Sequence, residues 1–199
     1  MSAPRPPIIL ASASPRRREI LASLGIAIEV RPSQVDEDAL EIEDHEAFVR
    51  AAARMKLEDV LSASPQAGAY VLAADTIVCV DARRLGKPAD DEDAMRMLEA
   101  LAGRDHLVRT AMALGQVGEG VLGCRAVETR VWFRPASRND LERYVAAGES
   151  LDKAGAYGVQ GLASGFVTRL EGSYTNVVGL PACEVIGLLV ERGALERWP

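Results

Sequence analysis

The stretch Ile8-Ile-Leu-Ala-Ser-Ala-Ser-Pro-Arg-Arg-Arg-Glu-Ile-Leu21 decides how the chain begins to fold. Its first three residues form an apolar run of strand length, Ser14 is a favoured N-cap, and Pro15 suits the first turn of a helix. A strand followed by a serine-rich turn and a helix brings free backbone N–H groups and the positive end of the helix dipole together. The stretch therefore predicts an anion site at the start of a helix over Pro15–Leu24.

The arginines at the start of this helix add to that expectation. Arg16 and Arg17 can donate pairs of hydrogen bonds to phosphate oxygens. Arg17 also lies three, four and seven residues before the next apolar positions of the helix, so it falls on the apolar stripe. The alternative is a basic first turn that is simply exposed to solvent, and the pattern alone leaves both interpretations open.

The composition limits the classes of protein to consider. The 199 residues are 48% hydrophobic and 26% charged, which indicates a globular chain, and we expect a single domain over residues 1–199 with a disordered lead-in at residues 1–7. The net charge of −6 and the 5% aromatic content argue against non-specific nucleic-acid binding, and no apolar run is long enough to span a membrane. The scattered Cys79, Cys124 and Cys183 are expected to be reduced core thiols of a cytoplasmic protein.

Strand and helix patterns are interleaved along the chain. Strands are predicted at Ile8–Leu10, near Ile28–Arg31, at Val71–Val80, and in a long hairpin of Leu107–Val117 and Val121–Phe133. Helices are predicted at Pro15–Leu24, His45–Leu61, Asp91–Leu101, Ser137–Ala147 and Ala182–Arg192. Glycine and serine residues between 155 and 173 indicate loops. Together these elements predict an α/β fold, a mixed twisted β-sheet covered by helices, with an active-site cleft.

Two charged residues fall where the pattern predicts burial. Lys56 shares the apolar stripe of its predicted helix with Val49, Ala53 and Val60. Asp75 interrupts an otherwise apolar strand. Burying a charge without a partner is costly, so Lys56 either extends its stem to the surface or reaches an anion in a cleft. Asp75 either bonds to the backbone at a strand end or meets a cation, a metal or a strong donor.

Two loops carry further candidate residues. The acidic run Asp36-Glu37-Asp38 is either an exposed loop or, together with Asp75, a source of hard oxygen ligands for Mg²⁺ or Mn²⁺. Lys87 stands between Gly86 and Pro88 in a stiffened loop that is not a Walker A motif, because the required glycine and Ser/Thr are missing. Both loops are therefore candidates for contacts with a charged ligand.

Other catalytic signatures are weak or missing. Gly118–Gly123 matches GxGxxG formally, but strand-like sequence follows it rather than a helix, so a hairpin turn explains it better. His45 and His106 are far apart and lack the spacing of metal ligands, which argues against a zinc site. No Gly-x-Ser-x-Gly motif supports a serine hydrolase.

Six motifs in order resemble the Maf family of nucleoside triphosphate pyrophosphatases, over roughly residues 8 to 190. They are Ser12-Ala-Ser-Pro-Arg-Arg17 with Glu19-Ile-Leu21, Ala51-Ala-Ala-Arg-Met-Lys56, Ala74-Asp75-Thr76, Gly86-Lys87-Pro88, Asp152-Lys-Ala-Gly-Ala-Tyr-Gly-Val-Gln-Gly161 and Val178-Gly-Leu-Pro181. The resemblance implies a fold like those of Maf proteins and inosine triphosphatases. Six ordered motifs are far more specific than any one of them.

The resemblance also implies a role for each matching residue. Asp75 corresponds to the family's central catalytic residue, a base or a metal ligand. Asp36 and Glu37 match an acidic pair of the family, and Glu37 is favoured as its functional member, implied in catalysis and metal binding. Lys56 and Lys87 are implied as catalytic cations on the phosphates. The residues implied in substrate binding are Ser12, Arg16, Arg17, Thr76, Lys153 and Gln160.

The implied activity is hydrolysis of the bond between the α and β phosphates of a nucleoside triphosphate, dependent on Mg²⁺ or Mn²⁺. Arg16, Thr76 and Gln160 resemble the branch that acts on dTTP, UTP and modified pyrimidine nucleotides. A sister branch favouring 7-methyl-GTP typically has Trp, Gln and Glu there. Two alternatives remain: that 7-methyl-GTP activity, and a nucleotide-binding regulator of septum formation without turnover. The expected partner is the nucleotide, with no nucleic acid or membrane, and the resemblance allows a homodimer.

Overall fold

The computed structural model describes residues 8–64 and 66–199, except for the side chain of Asp38. The predicted lead-in at residues 1–7 lies outside the described residues. The strands are β1 (Ile8–Leu10), β2 (Ile28–Val30), β3 (Tyr70–Val80), β4 (Arg83–Leu85), β5 (Asp105–Gln116), β6 (Gly120–Phe133) and β7 (Val167–Glu171). The helices are α1 (Pro15–Ser23), α2 (His45–Ala63), α3 (Asp91–Leu101), α4 (Arg138–Ala146), α5 (Tyr174–Val178) and α6 (Ala182–Glu191). Short 3₁₀ helices occupy Glu37–Ala39, Ala154–Ala156 and Leu162–Gly165.

The strands form one mixed sheet in the order β2-β1-β3-β5-β6-β7, with β4 pairing to β3. β1 pairs in parallel with both β2 and β3, whereas β4 pairs antiparallel with β3 and β7 antiparallel with β6. The α/β class and the mixed sheet predicted from the sequence are therefore confirmed. None of the helices in the described part of the chain is both long and apolar enough to cross a membrane.

The chain divides into two compact units, which we call unit 1 and unit 2. Unit 1 comprises Met1–Asp75, Thr110–Ala126 and Gly179–Pro199, and unit 2 comprises Thr76–Arg109 and Val127–Val178. The first division falls within β3, directly after Asp75. The expectation of a single domain over the whole chain stays a prediction.

Unit 1 contains the parallel strand pairs of β1 and the helices α1, α2 and α6. Side chains from each of these elements are fully buried, which fixes the helices by their apolar faces. Examples are Leu10, Leu21, Leu57, Leu72 and Leu188. Ser14 caps α1 by accepting a hydrogen bond from the backbone of Arg17, and Asp44 caps α2 in the same way.

Unit 2 has its own hydrophobic core. The buried members come from β3, β5, β6, α3, α4 and the segment after residue 153, and they include Val78, Leu98, Phe133, Tyr144, Tyr157 and Phe166. A capping box begins α4, because Ser137 and Asp140 exchange side-chain and backbone hydrogen bonds. Gly103 and Gly148 adopt positive φ after α3 and α4, as expected for C-terminal caps.

Two expectations from the sequence need correction. The expectation that all three cysteines lie in the core holds only for Cys79. Cys124 is half-buried, and Cys183 is exposed because α6 buries the face of Val185, Leu188 and Leu189 instead. The expectation that the glycine- and serine-rich segment 155–173 forms only loops is also wrong. Its last part forms β7, which pairs with β6.

Candidate active site

The centre of the candidate site is an ammonium group held between two carboxylates in unit 1. Nζ of Lys56 lies 2.7 Å from Oε1 of Glu37 and 2.7 Å from Oδ1 of Asp75. The side chain of Lys56 is 14% exposed and that of Asp75 is 8% exposed, whereas that of Glu37 is 30% exposed. The two acidic residues that the sequence singled out therefore share one largely buried cation.

The local structure explains why these three side chains meet. Lys56 lies on the face of α2 that also buries Val49, Ala53 and Val60, so its stem starts inside the core. Asp75 stands in the buried part of β3, and Glu37 begins a 3₁₀ helix. Of the alternatives that the sequence left open, Lys56 contacts anions rather than extending to the surface, and Asp75 meets a cation.

Arg17 is held by acceptors of unit 1. Its Nη1 donates to the hydroxyl of Ser12 at 3.0 Å and to the backbone oxygen of Ala74 at 2.8 Å, and its Nε donates to the backbone oxygen of Gly179 at 2.8 Å. Burial lowers the pKa of the Arg17 guanidinium, and the negative charge of Asp75 works against that shift. Arg17 thus connects the turn before α1 with the backbone next to Asp75.

These contacts give Ser12 and Arg17 of the Ser12–Arg17 motif a structural role besides the expected binding of substrate. Arg17 donates at least three hydrogen bonds to the protein itself, so its main visible role is to position the turn that follows β1. Ser12 is buried and accepts the Arg17 bond. Arg16, at the preceding position of α1, is half-buried. The assignment of all three residues to substrate binding stays a prediction.

The remaining predicted residues belong to unit 2. Thr76 is half-buried on β3, and Lys87 and Gln160 are exposed. Nζ of Lys153 donates to the backbone oxygen of Glu149 at 2.6 Å and to Oδ1 of Asp152 at 2.5 Å. The roles of these four residues in binding a nucleotide stay predictions.

The loop of Lys87 and the segment of Lys153 are joined by a backbone hydrogen bond. The N–H of Gly155 donates to the carbonyl of Gly86 at 3.0 Å. Gly155 has φ of +69°, and a Cβ there would lie 2.9 Å from Cγ2 of Val78, so only glycine fits without strain. This bond links the backbones of the two segments that carry the candidate ligand-binding residues Lys87 and Lys153.

His106 is a residue that the sequence did not connect to this segment. Its Nε2 lies 2.7 Å from the hydroxyl of Tyr157, and both side chains are buried among the aromatic rings of unit 2. The hydroxyl of Tyr144 also accepts a hydrogen bond from the N–H of Gly158. The sequence gives one indication that this segment has a buried anchor, because Tyr157 stands inside the Asp152–Gly161 motif. These contacts anchor the segment between Lys153 and Gln160.

The donor set of unit 1 suits a hard divalent cation. Among the side chains that the structure describes, which exclude that of Asp38, no group of three or more His, Cys, Asp or Glu is arranged to hold a metal. Mg²⁺, however, is commonly bound by one or two protein carboxylates together with phosphate oxygens of the substrate. Glu37 and Asp75 already converge on one cationic group, so the residues present fit such an ion.

Comparison with known proteins gives consistent matches over most of the chain. Residues 7–192 match the family model described as Maf-like protein. The chain is 48% identical over 185 residues to a dTTP/UTP pyrophosphatase of Desulfotalea psychrophila, covering 92% of this chain and 93% of that protein. It is 46% identical over 198 residues to a dTTP/UTP pyrophosphatase of Myxococcus xanthus, covering 100% of this chain and 98% of that one. The range matched by the family model includes every residue of the candidate site.

Proposed function

Because this chain belongs to the Maf family, we propose that it is a nucleoside triphosphate pyrophosphatase that hydrolyses dTTP and UTP, and modified pyrimidine nucleotides, to the monophosphate and pyrophosphate. The observation that carries the proposal is the contact of Lys56 with Glu37 and Asp75, because it places two carboxylates and a cation together in a chain with these relatives. A pure phosphate sensor needs cations, whereas hydrolysis also needs carboxylates.

The reaction needs a water molecule directed at the α phosphorus and cations that stabilise the leaving pyrophosphate. Attack forms a bond from the water oxygen to phosphorus and breaks the bond from phosphorus to the bridging oxygen, which leaves with the pyrophosphate. In our proposal Asp75 and Glu37 orient the water and accept its proton. Lys56, Lys87 and Arg16 neutralise charge on the phosphates as it develops.

We further propose that Glu37 and Asp75 hold a Mg²⁺ or Mn²⁺ ion. When bound, the ion supplies a Lewis acid that polarises phosphate oxygens. The support is the pair of hard carboxylate ligands, both directed at one cationic group. Treatment with EDTA is expected to abolish pyrophosphate release, and added Mg²⁺ or Mn²⁺ to restore it.

The base preference is proposed to depend on Arg16, Thr76 and Gln160. Gln160 offers one donor and one acceptor, which suit the edge of a pyrimidine, and the residue is exposed in the described structure. A pocket that hydrogen-bonds one base edge rejects a base that leaves its polar groups unpaired. A preference of at least ~10-fold in kcat/KM corresponds to about 1.4 kcal/mol.

The test is a panel of dTTP, UTP, ATP, GTP and 7-methyl-GTP with Mn²⁺, followed by detection of pyrophosphate. We expect dTTP and UTP to be hydrolysed with the highest kcat/KM. Higher kcat/KM for 7-methyl-GTP would move the chain to the sister branch and keep the pyrophosphatase activity. Nucleotide binding without release of pyrophosphate would support the regulator instead.

We also propose a cytoplasmic location and a homodimer. The three cysteines are free thiols, which fits a reducing compartment. The net charge of −6 supports free nucleotides rather than nucleic acid as the ligand. Fractionation of the cell and light scattering of the purified protein test the two statements separately.

A further inference from the structure

We infer that Lys56 is an internal cation that occupies the place of the metal between Glu37 and Asp75 in the free enzyme, so that the metal enters only together with the triphosphate. This inference rests on the proposed function and adds an order of binding to it. It assigns Lys56 two successive partners, first the carboxylates and then the phosphates of the substrate.

The geometry of the three side chains sets up a competition. Oε1 of Glu37 and Oδ1 of Asp75 each accept a hydrogen bond of 2.7 Å from the same ammonium nitrogen. A Mg²⁺ ion bonded to these oxygens would lie about 2.1 Å from each of them. The ammonium and the metal would then bind the same oxygen atoms at close range, and like charges repel strongly at a site with little access to water.

The charges around the carboxylates support the same conclusion. Glu37 and Asp75 carry two negative charges, and Lys56 and Arg17 carry two positive charges, so these four side chains sum to zero without a metal. A divalent cation alone would leave them with excess positive charge. A metal bound to a triphosphate brings more negative than positive charge, and it can therefore enter without that penalty.

Lys56, rather than Arg17, is the cation that can move away from the carboxylates when a metal binds. Arg17 is held by Ser12, Ala74 and Gly179, so its guanidinium is fixed to the backbone of unit 1. The ammonium of Lys56 is held by side-chain carboxylates, and it sits at the end of a flexible four-carbon stem. A triphosphate offers new acceptors to that ammonium, and the carboxylates are then released to the metal.

The experiment measures binding of Mn²⁺ to the nucleotide-free protein by electron paramagnetic resonance of the unbound ion. We expect weak binding by the unmodified protein and at least about tenfold tighter binding by Lys56→Met, because removal of the ammonium leaves two carboxylates without their shared cation. Arg96→Met is the matched control, since it also removes one positive charge but from an exposed pair with Glu92 on α3. Its affinity for Mn²⁺ should equal that of the unmodified protein.

A second pair of variants keeps the test decisive. If Lys56→Met does not fold, as judged by circular dichroism, Lys56→Gln retains hydrogen-bonding capacity without the charge and should show the same gain. Adding Glu37→Gln to either variant should remove the gain. Mn²⁺ affinity that is unchanged or lower without Lys56, a gain that Arg96→Met shares, or a gain that survives Glu37→Gln would overturn the inference.

The outcome is separable from that of the proposed function. No nucleotide is present in the Mn²⁺ titration, whereas the proposed function is tested by pyrophosphate release. Release of pyrophosphate from dTTP by the unmodified protein, together with unchanged Mn²⁺ affinity in Lys56→Met, defeats only the order of binding. Absence of pyrophosphate release from every nucleotide defeats the proposed function, whatever the Mn²⁺ titration gives.

Discussion

The hydroxyl of Tyr157 and Nε2 of His106 lie 2.7 Å apart inside the aromatic core of unit 2. The rings of both residues pack edge-on against Phe133. Nδ1 of His106 has no hydrogen-bond partner among the described residues. Burial lowers the pKa of His106 to about 4, while the charge of Asp105 opposes that shift. The histidine is therefore neutral in the folded protein over most of the physiological range.

This pair predicts a loss of stability in acid. The unfolded chain takes up a proton on His106 near pH 6.5, and the folded chain does so only near pH 4. The free energy of unfolding should therefore fall as the pH drops through this window, by up to about 3 kcal/mol from this residue, and be unaffected by it above the window. Urea unfolding of the unmodified protein and of His106→Gln at pH 7, 5.5 and 4 measures the difference. Equal pH slopes in the two proteins would contradict the prediction.

Gly155 should tolerate a side chain poorly. Alanine at φ of +69° costs about 1–2 kcal/mol, and overlap of its Cβ with Val78 adds about 1–3 kcal/mol. We expect Gly155→Ala to lower the free energy of unfolding by about 2–5 kcal/mol. The loss should be smaller in a Val78→Ala background, because that change removes the two Cγ atoms at 2.9 and 3.1 Å, while Cβ of residue 78 at 3.0 Å and the backbone strain remain.

The control for this prediction is Gly165→Ala in the same unit. A Cβ at Gly165 would have no heavy atom within 4 Å, and its φ is ordinary, so the substitution should be nearly neutral. Urea unfolding measures each of these proteins. If Val78→Ala leaves the cost of Gly155→Ala unchanged, the Cγ atoms of Val78 contribute nothing to that cost, which would contradict the prediction.

The carboxylates that contact Lys56 should be needed for turnover, and their acidic neighbour should not. We expect Asp75→Asn and Glu37→Gln each to lower kcat by at least ~100-fold, the usual scale for losing an acid–base or metal-orienting group. Asp36→Asn, next to Glu37 but exposed, is the matched control and should stay within about threefold of the unmodified protein. Pyrophosphate release, with thermal unfolding to confirm the fold, decides between these outcomes. Near-normal turnover in a folded Asp75→Asn protein would remove Asp75 from the mechanism.

Base preference should respond to Thr76 and Gln160 together. The double variant Thr76→Gln, Gln160→Glu should reduce the ratio of kcat/KM for dTTP over 7-methyl-GTP by at least ~10-fold, because a carboxylate lacks the donor that the Gln160 amide offers to a pyrimidine. Lys87→Ala is the contrasting variant, since loss of a phosphate cation should lower kcat/KM for every nucleotide alike. A selective loss for one base in Lys87→Ala would place Lys87 near the base instead.

The sequence predicts well those features whose signal is local. The helical pattern predicts Asp91–Leu101, and the bounds of α3 agree with it residue for residue. Lys56 stands out because a charge on an apolar stripe needs a partner, and the structure supplies two. In both cases a short stretch of chain contains the whole physical reason.

Features that depend on distant partners are harder to predict. β7 has a half-exposed, polar sequence and forms a strand because it pairs with β6, from which it is separated by α4 and two 3₁₀ helices. The contact between His106 and Tyr157 joins residues 51 positions apart, and no periodicity links them. The three acceptors of Arg17 likewise lie on separate segments of the chain. The sequence pattern around Arg17 therefore predicts a residue that binds phosphate, but it cannot show that Arg17 also positions a turn.

The hydrogen bond from Gly155 to Gly86 has a consequence for how this protein could be redesigned. It uses only main-chain atoms, so the bond itself does not depend on the side chains of either loop. Residues 156–160 could therefore be grafted from a relative with a different base preference, provided that glycine is kept at position 155 and that tyrosine, which contacts His106, is kept at position 157. The main-chain hydrogen bond would keep the grafted segment at its present distance from the Lys87 loop. Base preference could change during evolution in the same way, by substitutions within this segment.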